Sequence, residues 1–265
     1  MFWKKYKWRI IVPVCLLALL AFAFWYGGDA PGLQGWKVEK PASTEMPGSS
    51  LDGRPGGADG TLSVEEKLAA AAAIAREQSG EQGNAAYSML QGMTLDPETG
   101  KDRYGTSAVP EGMPVPVEPE DAEISDVAHT CTLSISRATI LDNMGWLDPE
   151  KVELVPEDGW ILKPVEVTFY EGESVFNILQ RTCKQQGIHM EFVNTPMYNS
   201  AYIEGIHNLY EFDCGQLSGW MYAVNGWFPN YGCSRYALKQ GDVVEWKYTC
   251  NLGIDVGGYY AVGGG

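Results

Sequence analysis

The sequence predicts an α+β fold: a mixed sheet with one packed helix, preceded by a transmembrane helix and a largely disordered stalk. Three observations carry this expectation. An apolar run with a cationic flank opens the chain, and a long stretch poor in core-forming residues follows it. The C-terminal half then alternates period-2 stretches with one clear helical stripe.

Residues 1–9, MFWKKYKWR, carry Lys4, Lys5, Lys7 and Arg9 and no acid. The apolar run 10–26 follows directly, a slightly short but adequate span at ~1.5 Å per residue. Trp8 lies at one end and Trp25 and Tyr26 at the other, where interfacial aromatics belong. The cationic flank belongs in the cytoplasm, which puts the remainder outside a single-pass cell membrane anchor. A cleaved secretory signal is the competing reading. Ala21-Phe22-Ala23 lies inside the apolar run, and Gly28-Asp29-Ala30 runs into Pro31, so an uncleaved anchor is favoured. Cys15 lacks a lipoprotein context and reads as a buried apolar thiol.

The formal charge is −15, and beyond the basic segment 15 basic residues face 34 acidic ones. That balance excludes nucleic acid, which needs a basic stripe, and adsorption to anionic headgroups. It reads as a solvated acidic surface.

Residues 27–128 are expected to be an extracytoplasmic linker. Up to Gly60 they are rich in Gly, Pro and Ser and cannot bury a core. A helix is expected near 62–79, with Ser63 and Glu66 as a capping box and Gly80 past its end. Its face is mostly alanine, too thin for an independent core. Residues 80–127 look loop-like and end in the proline-spaced VPEGMPVPVEPED. The run Asp96 to Asp102 suggests a calcium loop but lacks the required glycine and the closing bidentate acid, so it is set aside.

The globular domain is expected over 129–256, with a flexible tail at 257–265. Cys131, Leu133 and Ile135 alternate with hydroxyl residues in a first strand, and VEVTFY (165–170) forms a second. Ser174 is a plausible N-cap, Val175, Ile178, Leu179 and Thr182 form a helical stripe, and Gly187 is a natural stop. IHMEF (188–192) reads as a third strand, and a polar and aromatic stretch runs on to Gly215. Trp220, Tyr222 and Val224 lead into Asn225-Gly226, the strongest short-range hairpin signal, and Trp227, Phe228 and Tyr231 follow it. Val244, Trp246 and Tyr248 share one side of a closing strand. The order strand, strand, helix, strand, hairpin, strand looks like a β-grasp, with the first and last strands parallel.

Two stretches carry a resemblance: EGESVFNILQRTCKQQGIHMEF, and YIEGIHNLYEFDCGQLSGWMYAVNGWFPNYGCSRYALKQGDVVEWKYTCNLG. Together they resemble the transcobalamin-like C-terminal domain, a family of unknown function in Gram-positive surface proteins, over about residues 129–256. The resemblance implies an external β-grasp-type module that binds a soluble ligand, with a corrinoid as the possible ligand. In vertebrate cobalamin carriers the related domain closes over a corrinoid held by a helical barrel. This chain has no stretch apolar enough for such a barrel, so a corrinoid role would need a second protein.

Trp220, Tyr222, Asn225, Trp227, Phe228 and Tyr231 are the candidate ligand contacts, from a loop beside the turn. Packing is the stronger reading for Trp220 and Tyr222, and the turn alone accounts for Asn225. Five cysteines follow the anchor, and their spacing does not suggest zinc. Cys183 reads as a buried thiol on the helix. Cys131 and Cys250 belong at opposite ends of the sheet, too far apart to bridge, and Cys214 with Cys233 is the disulfide candidate because the hairpin folds those flanks together. Cys214 with His207, or Cys183 with His189, would be the catalytic thiol pairs, but neither has a nucleophile context. A non-enzymatic module with no resident cofactor or metal is therefore expected. Its partners would be the membrane and a small soluble ligand or a surface protein. A structural or adhesive cell-surface domain is the alternative.

Overall fold

The computed structural model of the protein describes residues 83–258. The predicted anchor, tether, helix near 62–79 and most of the tail lie outside those residues. Among the described residues no helix is long and apolar enough to cross a membrane.

The first element is a short helix, α1 (Ala85–Leu90), capped by the Asn84 side chain, which accepts from the Tyr87 amide at 2.9 Å. Strands β1 (Ala128–Ser136) and β2 (Trp160–Tyr170) pair antiparallel. Helix α2 (Val175–Gln186) crosses next. Strands β3 (Met190–Thr195), β4 (Ser200–Ile206) and β5 (Leu209–Tyr210) form one antiparallel sheet. Strands β6 (Gly219–Val224) and β7 (Val243–Thr249) complete the other, whose order is β2-β1-β7-β6. β1 and β7 run parallel at its centre, the arrangement expected of a β-grasp order.

The helix forms where its stripe predicts. Ser174 and Asn177 build a reciprocal cap, and Gly187 ends the helix in the left-handed region. Val175, Ile178, Leu179, Thr182 and Cys183 are buried. Val175, Ile178, Leu179 and Cys183 meet Cys131, Leu133 and Ile135 of β1, with Phe169, Val244 and Trp246, in the main core. A second cluster gathers Ile140, Leu147, Leu209 and Tyr248 around Cys214 and Cys250.

Three expectations need correction. The single mixed sheet is two sheets, because 200–210 forms β4 and β5 in a stretch whose Gly, Asn and His residues masked the alternation. The Asn225-Gly226 turn exists, with φ of 54° and 81°, but no strand returns from it. Val224 and Trp227 make one bridge, and β6 pairs instead with β7. Finally, residues 83–127, expected to be linker, pack onto the sheets. Val109 is fully buried in the main core, and the Val117 amide donates to the Arg235 carbonyl at 2.8 Å.

Arg235 explains why that segment stays. Its side chain is 1% exposed. Its guanidinium donates to Asp102 Oδ2 and Glu118 Oε1, each at 2.6 Å, and to Thr106 Oγ1 at 2.7 Å. The Tyr104 ring lies 4.9 Å from it. Tyr231 Oη donates to the Pro114 carbonyl and Asn230 to that of Ser107, which ties down the rest of the segment. Removing one partner of a buried ion pair strands the others. Arg235→Met is expected to cost about 3 kcal/mol in urea unfolding and to open residues 94–121 to limited proteolysis. Unchanged stability and cleavage would show that the clamp does not hold the segment.

Candidate functional site

The predicted aromatic contacts do not form an open rim. Trp227, Phe228 and Tyr231 are 7%, 3% and 6% exposed, and Tyr222 is equally buried. Tyr222 Oη donates to the Tyr231 carbonyl at 2.7 Å, and its ring packs on Trp246 and Tyr236. Tyr231 stacks on Tyr236 and meets Trp227 edge-on. Phe228 lies near Lys247, on the opposite face of β7 from Trp246, and against Gly258. Trp220 is half-buried and donates its indole N–H to the Leu209 carbonyl at 2.9 Å. Asn225 donates to Asp242 Oδ1 and accepts from the Val243 amide, so its side chain ties the turn to the start of β7. After the turn the chain folds inward across the sheet, and the rings go with it.

The two thiol–imidazole pairs set aside in the sequence have other partners in the structure. His207 Nδ1 lies 3.4 Å from a guanidinium nitrogen of Arg137. Burial, then the nearby Arg137 charge, hold its imidazole below the ordinary histidine range. His189 contacts Glu191 instead of Cys183. Cys233 points its sulfur at the Ala201 carbonyl, 3.6 Å away, so it cannot reach Cys214, whose sulfur lies 3.4 Å from that of Cys250. Burial pushes the Cys131, Cys183 and Cys233 thiols up to about 12, which leaves them unreactive near neutral pH. Among the described residues no group of acids, histidines and cysteines could hold a metal ion.

A cleft of about 430 Å³ lies elsewhere. The β3–β4 hairpin gives one wall, through Asn194, Pro196 and Asn199, and the entry to α2 gives a second, through Phe176 and Asn177. The third comes from the segment 117–124, through Val117 and Ile124. Gly172 lets that wall approach. Its φ is 89°, and a Cβ there would lie 2.2 Å from the Glu123 carbonyl oxygen. Asn199 donates to Glu118 and Glu120, at 2.6 and 2.8 Å, joining the hairpin to the third wall. The described residues that line the cleft are apolar, amide or hydroxyl, with no titratable side chain among them. Sequence reasoning missed this site because its residues come from four separate segments, and one of them was read as linker.

Beside the cleft, Glu173 pairs with Arg181 on α2 at 2.9 Å and accepts from the Tyr170 amide at 2.8 Å. Burial pushes this carboxyl up, but the guanidinium and the amide outweigh it and hold it below the ordinary glutamate range.

A family model described as a domain of unknown function (DUF4430) matches residues 172–250. The match lies within the stretch that carries the resemblance noted above. Haptocorrin in complex with Cbi is a similar solved structure, at 14% identity and a TM-score of 0.35, covering 48% of this chain and 26% of that chain. The chain thus spans about a quarter of haptocorrin's length. A second structure, of a protein from Ruminococcus gnavus ATCC 29149 thought to bind metal, is 11% identical with a TM-score of 0.28. It covers 46% of this chain and 96% of that one. No match was found among curated proteins.

Two outcomes follow from this geometry. Trp227→Ala should lower stability by ~3–5 kcal/mol in chemical denaturation, as loss of a core ring does; an unaltered midpoint would place the ring outside the core. Because the Glu173 carboxyl is depressed in the folded state, its contribution is complete above the unfolded value of about 4.3 and is lost as pH falls through the folded one. Glu173→Gln should be less stable at neutral pH and lose stability less steeply below about pH 4.3. Parallel acid-unfolding curves would contradict the pairing.

Proposed function

We propose that the protein is a non-enzymatic ligand-binding module, held on the outer side of a membrane by its N-terminal helix. Its ligand is a small soluble molecule with an apolar body and an uncharged, hydrogen-bonding edge. The lining of the cleft carries this reading. Ile124 is 58% exposed beside Val117 and Phe176, while Asn194 supplies a donor and an acceptor and Asn199 an acceptor. Exposed apolar surface between convergent amides is the usual composition of a small-ligand site, and the volume falls within the usual range of about 300–1,000 Å³. The absence of an acid, base or thiol from the lining favours binding over turnover.

The family resemblance puts corrinoids among the candidates, and haptocorrin is known in complex with Cbi. A corrinoid exceeds what this cleft encloses, so it would be held between this domain and a second protein. The second reading, an adhesive surface domain, draws on the burial of the predicted rings and on Met197, which is 74% exposed at the hairpin tip.

Isothermal calorimetry of the protein with cobinamide and with panels of sugars, nucleosides and short uncharged peptides tests the choice. One class is expected to bind, and the exposed change Asn194→Ala to weaken it by about tenfold, the loss of roughly one buried hydrogen bond. Binding unaffected by Asn194→Ala, or no heat with any class, would overturn the cleft assignment and favour adhesion.

A further inference from the structure

The second cluster places two sulfurs together. Cys214 follows β5 and Cys250 follows β7, and their Sγ atoms lie 3.4 Å apart with both residues fully buried. The register explains the meeting. β6 and β7 pair antiparallel with Gly219 opposite Thr249, so the chain leaving β7 lies beside the chain entering β6. Tyr248 fixes the same corner, since its hydroxyl donates to the Tyr210 carbonyl at 2.7 Å and lies 3.0 Å from Ser218 Oγ. Ser218 Oγ accepts from the Cys214 amide at 3.2 Å, and Asp255 accepts from the Cys250 amide at 2.7 Å. Both backbones are thus held in place while the sulfurs face each other. Among the described residues no other cysteine sulfur lies within reach of a second one.

We propose that Cys214 and Cys250 form a structural disulfide that staples the end of β7 to the loop entering β6. A bonded pair needs ~2.05 Å, so each sulfur must shift by less than about 1 Å, within reach of a small side-chain rotation. The oxidant is a disulfide, either a protein oxidase of the thiol–disulfide class or an oxidised small thiol. One cysteine thiolate attacks its S–S bond and forms a mixed disulfide, expelling one thiol. The second cysteine sulfur then displaces the other thiol. Two protons leave the protein sulfurs, and two electrons pass to the oxidant, which ends as two thiols. The neighbouring sulfur and then burial push the Cys250 thiol up, and both residues are sealed from any oxidant in the folded state. The bond therefore forms while the chain folds, before the cluster of Ile140, Leu147 and Leu209 closes over it. The oxidising side of a membrane, where the N-terminus is expected to place this domain, preserves such bonds.

Refolding the full chain from denaturant in a mixture of glutathione and glutathione disulfide tests this. The product is alkylated under denaturing, non-reducing conditions and digested for mass spectrometry. The expected result is a cross-linked peptide joining Cys214 to Cys250, with Cys131, Cys183 and Cys233 alkylated. Reduction of the refolded protein should lower its melting temperature by about 10 °C, as expected for a closed loop of 36 residues. The double variant C214A/C250A should melt at one temperature with or without reductant. A different pairing, alkylation of both cysteines, or a wild-type melting temperature unmoved by reductant would overturn the proposal.

Discussion

The buried guanidinium of Arg235 is the constraint on which the rest of this domain depends. A cation excluded from water costs several kcal/mol unless carboxylates and hydrogen bonds surround it. Here they come from Asp102, Thr106 and Glu118, all outside the stretch that the family model matches. The short 3-10 turn Cys233–Arg235 therefore needs residues 102–118, and those residues have too few apolar side chains to hold themselves in place. With them come Val109, which enters the main core, and Val117 and Ile124, which wall the cleft. Stability and site geometry thus share one polar node.

The aromatic side chains around the turn divide between two packing tasks. Tyr222, Tyr231 and Tyr236 send rings into the core. The hydroxyls of the first two reach backbone carbonyls, which satisfies the polar end of a buried ring. Trp220 and Tyr248 do the same work in the smaller cluster. The cleft is instead lined by amides, aliphatic groups and the Phe176 ring from four different segments. Such a surface depends on the placement of its walls more than on any one residue type.

Much of the sheet and helix was legible because the signals were local. The Ser174 cap, the stripe from Val175 to Thr182 and the Gly187 stop define α2 within a few residues of chain. Cys131, Leu133 and Ile135 announce β1 by alternation, and its parallel partner β7 follows from the strand order. Three features were not legible. The packing of 83–127 rests on ion pairs between residues more than a hundred positions apart, which no periodicity encodes. The inward path of Trp227 to Tyr231 depends on what covers β7, and aromatics beside a turn read alike whether they face solvent or core. The partner of Cys214 was missed because Cys250 was weighed only against Cys131; the register that brings Gly219 opposite Thr249 lies between strands distant in sequence.

The central claim is that residues 102–118 belong to the folded domain. Native-state hydrogen exchange read at the amides of Thr106, Val109 and Val117 tests it most directly. The account predicts protection at these amides approaching that of Leu133 and Val244 in the paired central strands, because they open only when the domain does. Exchange at the rate of unstructured chain, with the sheet still protected, would show that the segment lies free, and the cleft would lose its third wall.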